Sequence, residues 1–154
     1  MRTLRLLGAV LVALPVVAAE SDFKATFTNP EELSFGQLMI HIASQNSDSC
    51  ATATGTKALA EPTATDRQTA IKFVAESFDK CAKELEAMPP EQWNKEVYKF
   101  RGQPLLASEA LWYTFTHVAH HRGQAEVYLR VKNIKPPAWR FYKIEGVREA
   151  GMRS

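Results

Sequence analysis

The chain has 154 residues, with 19 Lys and Arg against 17 Asp and Glu, and a formal charge of +2 at neutral pH. That length suits one domain with a working core, and 45% hydrophobic with 23% charged residues is the balance of a globular protein rather than a disordered or fibrous one. Bases and acids alternate along most of the sequence, so the clustered Lys and Arg that a nucleic-acid surface needs are missing and no nucleic-acid partner is expected.

Residues 1–19 read as a secretory signal. Arg2 and Arg5 precede an apolar run from Leu6 to Ala19, which ends in the small residues Val17 and Ala19. The run is shorter than the roughly 18 apolar residues of a spanning helix, so no stable membrane span is expected after processing. Cleavage before Glu20 would leave 17 basic and 17 acidic residues and an exported protein, periplasmic or extracellular. The competing reading makes the same run the first helix of the domain, with a cytoplasmic location.

Ser34-Phe35-Gly36-Gln37 has the form of a capping box, with Ser34 as N-cap, Gln37 reaching back, and Leu33 and Leu38 at the staple positions. A helix is predicted from Phe35 to about Cys50, followed by a Thr-, Ala- and Gly-rich loop from Ala51 to Thr63. Thr65-Asp66-Arg67-Gln68 repeats the box and opens a second helix. Its apolar residues Ile71, Val74, Phe78, Cys81, Leu85 and Met88 recur at steps of three and four, until Pro89-Pro90 stops it. Glu91 to Gly102 is a connector with at most a short extended piece. Pro104 suits the first turn of a third helix running to about Lys132 and ending at Asn133, before Pro136-Pro137. Residues 20–137 then form an all-α domain, and the tail 138–154 packs back through Trp139, Phe141 and Tyr142. Cys50 and Cys81 are candidates for one disulfide in an oxidising compartment, the alternative being two buried thiols.

The four histidines fall in two places: His41 on the first helix, and His117, His120 and His121 on the last. Residues four apart on a helix differ by about 40°, so His117 and His121 can aim at one point; His120 stands about 100° from His121 and about 60° from His117, which leaves His117 with His120 as the weaker pair. Their face also collects Leu106, Ala110, Tyr113, Gln124, Tyr128 and Val131. Arg122, Glu126 and Arg130 are expected on the opposite side. Two inward imidazoles with no acid facing them need a partner, and a divalent metal with His41 as third ligand from the neighbouring helix supplies one. Three imidazoles with a fourth position open describe a site for chemistry rather than a closed structural site. Gln124 and Tyr128 are candidates to back the ligands or line the pocket; Gln45 and Asp48 share the face of His41. No pair of carboxylates and no nucleophile beside a base stands out, so no catalytic residue is assigned.

The segment Ser34-Phe35-Gly36-Gln37-Leu38-Met39-Ile40-His41-Ile42-Ala43, with His117-Val118-Ala119-His120-His121-Arg122-Gly123-Gln124, resembles the DinB-like superfamily. Tyr128-Leu129-Arg130 and Ile134-Lys135-Pro136-Pro137 extend the likeness, which spans about 23–137. The resemblance implies a four-helix bundle binding one divalent transition metal, zinc or nickel, through His41, His117 and His121, with His120 a neighbouring non-ligand. It also implies metal-dependent chemistry of the thiol S-transferase, hydrolase or isomerase kind on a small-molecule substrate. The alternative is a non-catalytic metal- or small-ligand-binding bundle. Two departures stand out. Glu20 to Leu33 is too short for the full helix that usually precedes the first histidine, and an exported domain would not meet cytoplasmic thiol cofactors. Bundles of this size often pair through exposed helix faces, which makes a homodimer a candidate assembly.

Overall fold

The computed structural model describes residues 19–24 and 32–137. The expectations for the N-terminal run up to residue 18 and for the tail 138–154 lie outside these residues. Among them are three long helices, α1 (Phe35–Thr54), α2 (Arg67–Ala87) and α3 (Ala107–Val131). A two-stranded antiparallel hairpin, β1 (Glu96–Phe100) and β2 (Gln103–Leu106), joins α2 to α3. The mainly helical class holds, with three of the four expected bundle helices among the described residues. None of the described helices is long and apolar enough to cross a membrane.

α1 begins where the sequence places it. The Ser34 hydroxyl accepts from the Gln37 N–H, and Gln37 Oε1 accepts from the Ser34 N–H at 2.8 Å, so two N-terminal donors are satisfied reciprocally. The helix runs four residues past the expected end. Ala51 and Ala53 are buried, which favours helix over loop, and Thr54 donates to the Cys50 carbonyl. Termination falls to Gly55, whose φ of 76° suits a residue without Cβ, with its N–H returning to Ala51 O.

α2 is capped by Asp66, not Thr65: the Asp66 carboxylate accepts from both the N–H and the hydroxyl of Thr69. A carboxylate so held satisfies an end donor and adds negative charge at the positive end of the helix dipole, an advantage Thr65 lacks. Of the predicted apolar face, Val74, Phe78, Cys81, Leu85 and Met88 are buried and Ile71 is half-buried.

The connector departs most from expectation. Pro104 does not open a helix; it lies in β2 opposite Lys99, and α3 starts at Ala107. Arg101 and Gly102 form the two-residue turn, both with positive φ (51° and 81°), as a tight hairpin requires. Glu109 Oε2 accepts from the Leu106 N–H at the start of α3. At the far end Asn133 takes φ 57° and the Ile134 N–H returns to Leu129 O, the predicted stop.

α1 packs against both α2 and α3. On the α2 side, Asn46 donates to the Ser77 carbonyl and hydroxyl, and Ser77 donates to Ala43 O, so a buried polar group is paired across the interface. Cys50 and Cys81 are joined as a disulfide with Cα atoms 5.5 Å apart. On the α3 side the helices run antiparallel: Tyr128, late in α3, donates to Leu33 O just before α1. At the other end Gln92, ahead of the hairpin, donates to Ala53 O near the end of α1. The buried face of α3 carries Ala107, Ala110, Thr114, Val118, Arg122, Ala125, Tyr128 and Leu129. It is rotated from the expected stripe, leaving Tyr113 and Val131 exposed and bringing Arg122 inside at 6% exposure, where it pairs with Glu126. The small alanines let α3 approach closely, and the aliphatic stem of Arg122 serves as core wall.

Candidate metal centre

That rotation places His117 and His121 at the edge of the buried face rather than in its middle. His41 lies on the least buried stripe of α1, with exposed Gln37 and Asp48 and half-buried Gln45. The α1–α3 packing therefore brings three partly exposed imidazoles together in the groove between the helices. His121 Nε2 lies 3.0 Å from His117 Nε2 and 3.2 Å from His41 Nε2, and the ring centroids are 4.3 to 5.1 Å apart. These are the three described residues whose donor atoms converge, all within 4.8 Å of one another. His120 is exposed, its ring 4.9 Å from that of His121, and it stays outside the cluster.

The electrostatics favour the neutral ring at His117 and His121. Burial pushes His117 down to about 4, and the neighbouring imidazoles His121, His41 and His120 push the same way. His121 is also lowered by burial, opposed by its bond to Gln124. Neutral imidazole is the ligating form.

Three imidazole nitrogens with no carboxylate hydrogen-bonded to them among the described residues suit a borderline-soft divalent cation. Nitrogens about 2.0–2.1 Å from one tetrahedral ion are about 3.3 Å apart, close to the spacing here. Gln124 Oε1 sits 2.6 Å from His121 Nδ1, the outer contact that ligating histidines ordinarily make. His117 Nδ1 differs, being buried with no hydrogen-bond partner among the described residues. The donor set fits a metal; the support behind it is complete at His121 and incomplete at His117.

The other sequence candidates divide. Gln124 joins the site. Tyr128 does not point there: its hydroxyl goes to Leu33 O, its ring packs near Phe35, and burial followed by the nearby Glu32 raises its pKa. Gln45 and Asp48 share the groove stripe of His41, but no hydrogen bond links either to the three rings. One further residue of the histidine face stands beside the cluster. Tyr113, half exposed, stacks on His117 with centroids 6.1 Å apart, and its position one turn before His117 was the available signal.

A helical scaffold bringing three histidine nitrogens together at an open groove defines the class: a helical-bundle protein with a three-histidine cluster that could hold one metal ion. The sequence pattern of the DinB superfamily matches residues 6–125, and the chain belongs to that family. Its fold is similar to that of a DinB-like protein from Bacillus cereus (TM-score 0.76, 19% identity, covering 90% of this chain and 94% of that one). A DinB-like protein from Bacillus subtilis is also similar (TM-score 0.70, 16% identity, covering 86% and 90%). No curated protein matches the sequence.

Proposed function

We propose that this protein is a metal-dependent enzyme acting on a small molecule, with His41, His117 and His121 holding one zinc or nickel ion and one position left open. The observation that carries this reading is the convergence of the three Nε2 atoms on a partly exposed groove. Bound there, a divalent ion supplies Lewis acidity, lowering the pKa of a water or thiol in the open position, as transferase, hydrolase or isomerase chemistry requires. The chain's own part is to hold His117 and His121 neutral, to orient His121 through Gln124, and to leave the groove side accessible. Tyr113 stands at the rim, where an incoming ligand would pass its ring. The Cys50–Cys81 disulfide supports an oxidising, exported setting, which in turn favours a substrate other than a cytoplasmic thiol.

A second reading is metal or ligand capture without turnover. It is favoured by the absence, among the described residues, of any carboxylate or nucleophile hydrogen-bonded to the three rings. Elemental analysis of untagged protein beside His121→Ala tests the shared premise. About one equivalent of zinc or nickel, absent from the variant, is expected. No metal, even after incubation with either ion at neutral pH, would sink the enzyme reading and metal capture alike, and leave only capture of a small ligand. Turnover of thiol and ester probes by the loaded protein then separates enzyme from capture.

A further inference from the structure

We propose that Gln124 is a positioning residue that presets His121 as a ligand by fixing its proton on Nδ1, so that Nε2 presents a lone pair before any metal arrives. The inference rests on the metal reading above and adds to it which ligand is ready in advance and why. An amide oxygen can only accept a hydrogen bond. With Gln124 Oε1 at 2.6 Å, Nδ1 of His121 must be the donor, and a neutral ring carries no second proton. The bare nitrogen is therefore Nε2, the atom that lies 3.0 Å from His117 and 3.2 Å from His41. Two bare nitrogens at such distances would repel, so the lone pair of His121 is met by an N–H from a neighbour. His117 is suited to supply it, because its own Nδ1 has no partner among the described residues and its proton is better placed on Nε2. On loading, His117 must move that proton to Nδ1, whereas His121 needs no change.

The residues Gly123 and Gln124 are both exposed, so the Gln124 amide is not part of the core and its removal costs little packing. Its effect should appear in tautomer and metal affinity, not in the fold. The test is 15N NMR of the imidazoles in metal-free protein near pH 7.5, with zinc affinity by chelator competition for wild type, Gln124→Ala and Gln124→Glu. The wild type should show His121 protonated on Nδ1 before and after zinc, with His117 changing tautomer on loading. Gln124→Ala should lose that fixed tautomer and bind zinc about 10–100-fold more weakly, at an unchanged melting temperature without metal. Gln124→Glu, which keeps an acceptor oxygen, should restore both. Wild-type His121 protonated on Nε2, or Gln124→Ala with wild-type tautomer and affinity, would overturn the proposal. A wild type that cannot be loaded, yet keeps the His121 proton on Nδ1, would defeat the metal reading and leave the positioning role of Gln124 standing.

Discussion

Protonating His117 places a charge in a partly buried groove beside three other imidazoles, and burial first, then those neighbours, push its pKa down to about 4. A histidine in the unfolded chain titrates near 6.5, so between these two values the unfolded state binds more protons than the folded one. Stability of the metal-free protein should therefore fall as pH drops from about 6.5 toward 4, and level off above that window. His121, also lowered, acts in the same direction. Thermal melts across this range should show the decline in wild type and a flatter curve in His117→Gln; equal slopes would mean that His117 is not held neutral by its surroundings. At this scale much of the site was readable in advance. The i, i+4 spacing of His117 and His121 fixes their common face whatever the tertiary structure, while the same geometry leaves His117 with His120 only as the weaker pair, about 60° apart. The place of Tyr128 was not readable, because helical phase gives a side chain's direction but not what lies at its tip. Its hydroxyl finds Leu33 O, 95 residues away in sequence.

Between elements, close approach decides more than local preference. Gly36, the second residue of α1, has room for nothing larger: a Cβ there would lie 2.1 Å from the Thr65 carbonyl and 3.1 Å from that of Phe23. Alanine is the better helix former by about 1 kcal/mol, but displacing backbone costs more, and Gly36→Ala should destabilise by roughly 1–3 kcal/mol net in urea unfolding. A neutral or stabilising effect would show that the 55–66 connection does not press on α1. The hairpin gives the opposite case, where local chemistry is suboptimal. Arg101 sits at φ 51°, a region that Asn occupies more readily than other side chains, followed by Gly102. Arg101→Asn should stabilise by about 0.5–1 kcal/mol, read as a raised urea midpoint with unchanged slope. The same residues explain why the hairpin escaped the sequence: Arg-Gly is a weak turn signal, and both strands are largely exposed, so no apolar alternation marks them. Pro104 pointed toward a helix start because its fixed φ suits that position as well as an edge strand. The capping box of α1 was read correctly because it is purely local, four residues satisfying one another's backbone.

Across the whole molecule, α1 carries both cross-links. The Cys50–Cys81 disulfide ties it to α2, closing a separation of 31 residues, and the histidine cluster faces α3 from the other side, His41 meeting residues 76 and 80 positions later. The core joins the same three helices, with Phe35, Met39 and Ile42 buried beside Val74 and Leu129. A loop of that length gives a disulfide contribution of roughly 3–4 kcal/mol in the chain-entropy account. A metal bound only by the folded state adds about 2.7 kcal/mol at a hundred times its Kd, which for a chain of this size is a melting shift of roughly 5–10 °C. Because the two links lie on different interfaces and share no side chain, their effects should add. The double variant Cys50→Ala/Cys81→Ala should melt lower than wild type yet gain the same increment from zinc, while His41→Ala should keep the disulfide's contribution and lose the zinc increment. Calorimetry of wild type, the cysteine variant, His41→Ala and the variant combining both, each with and without zinc, checks this directly. A zinc shift that vanishes with the cysteines would mean that the α1–α2 packing sets the position of His41, so that the histidine cluster depends on the disulfide rather than standing beside it.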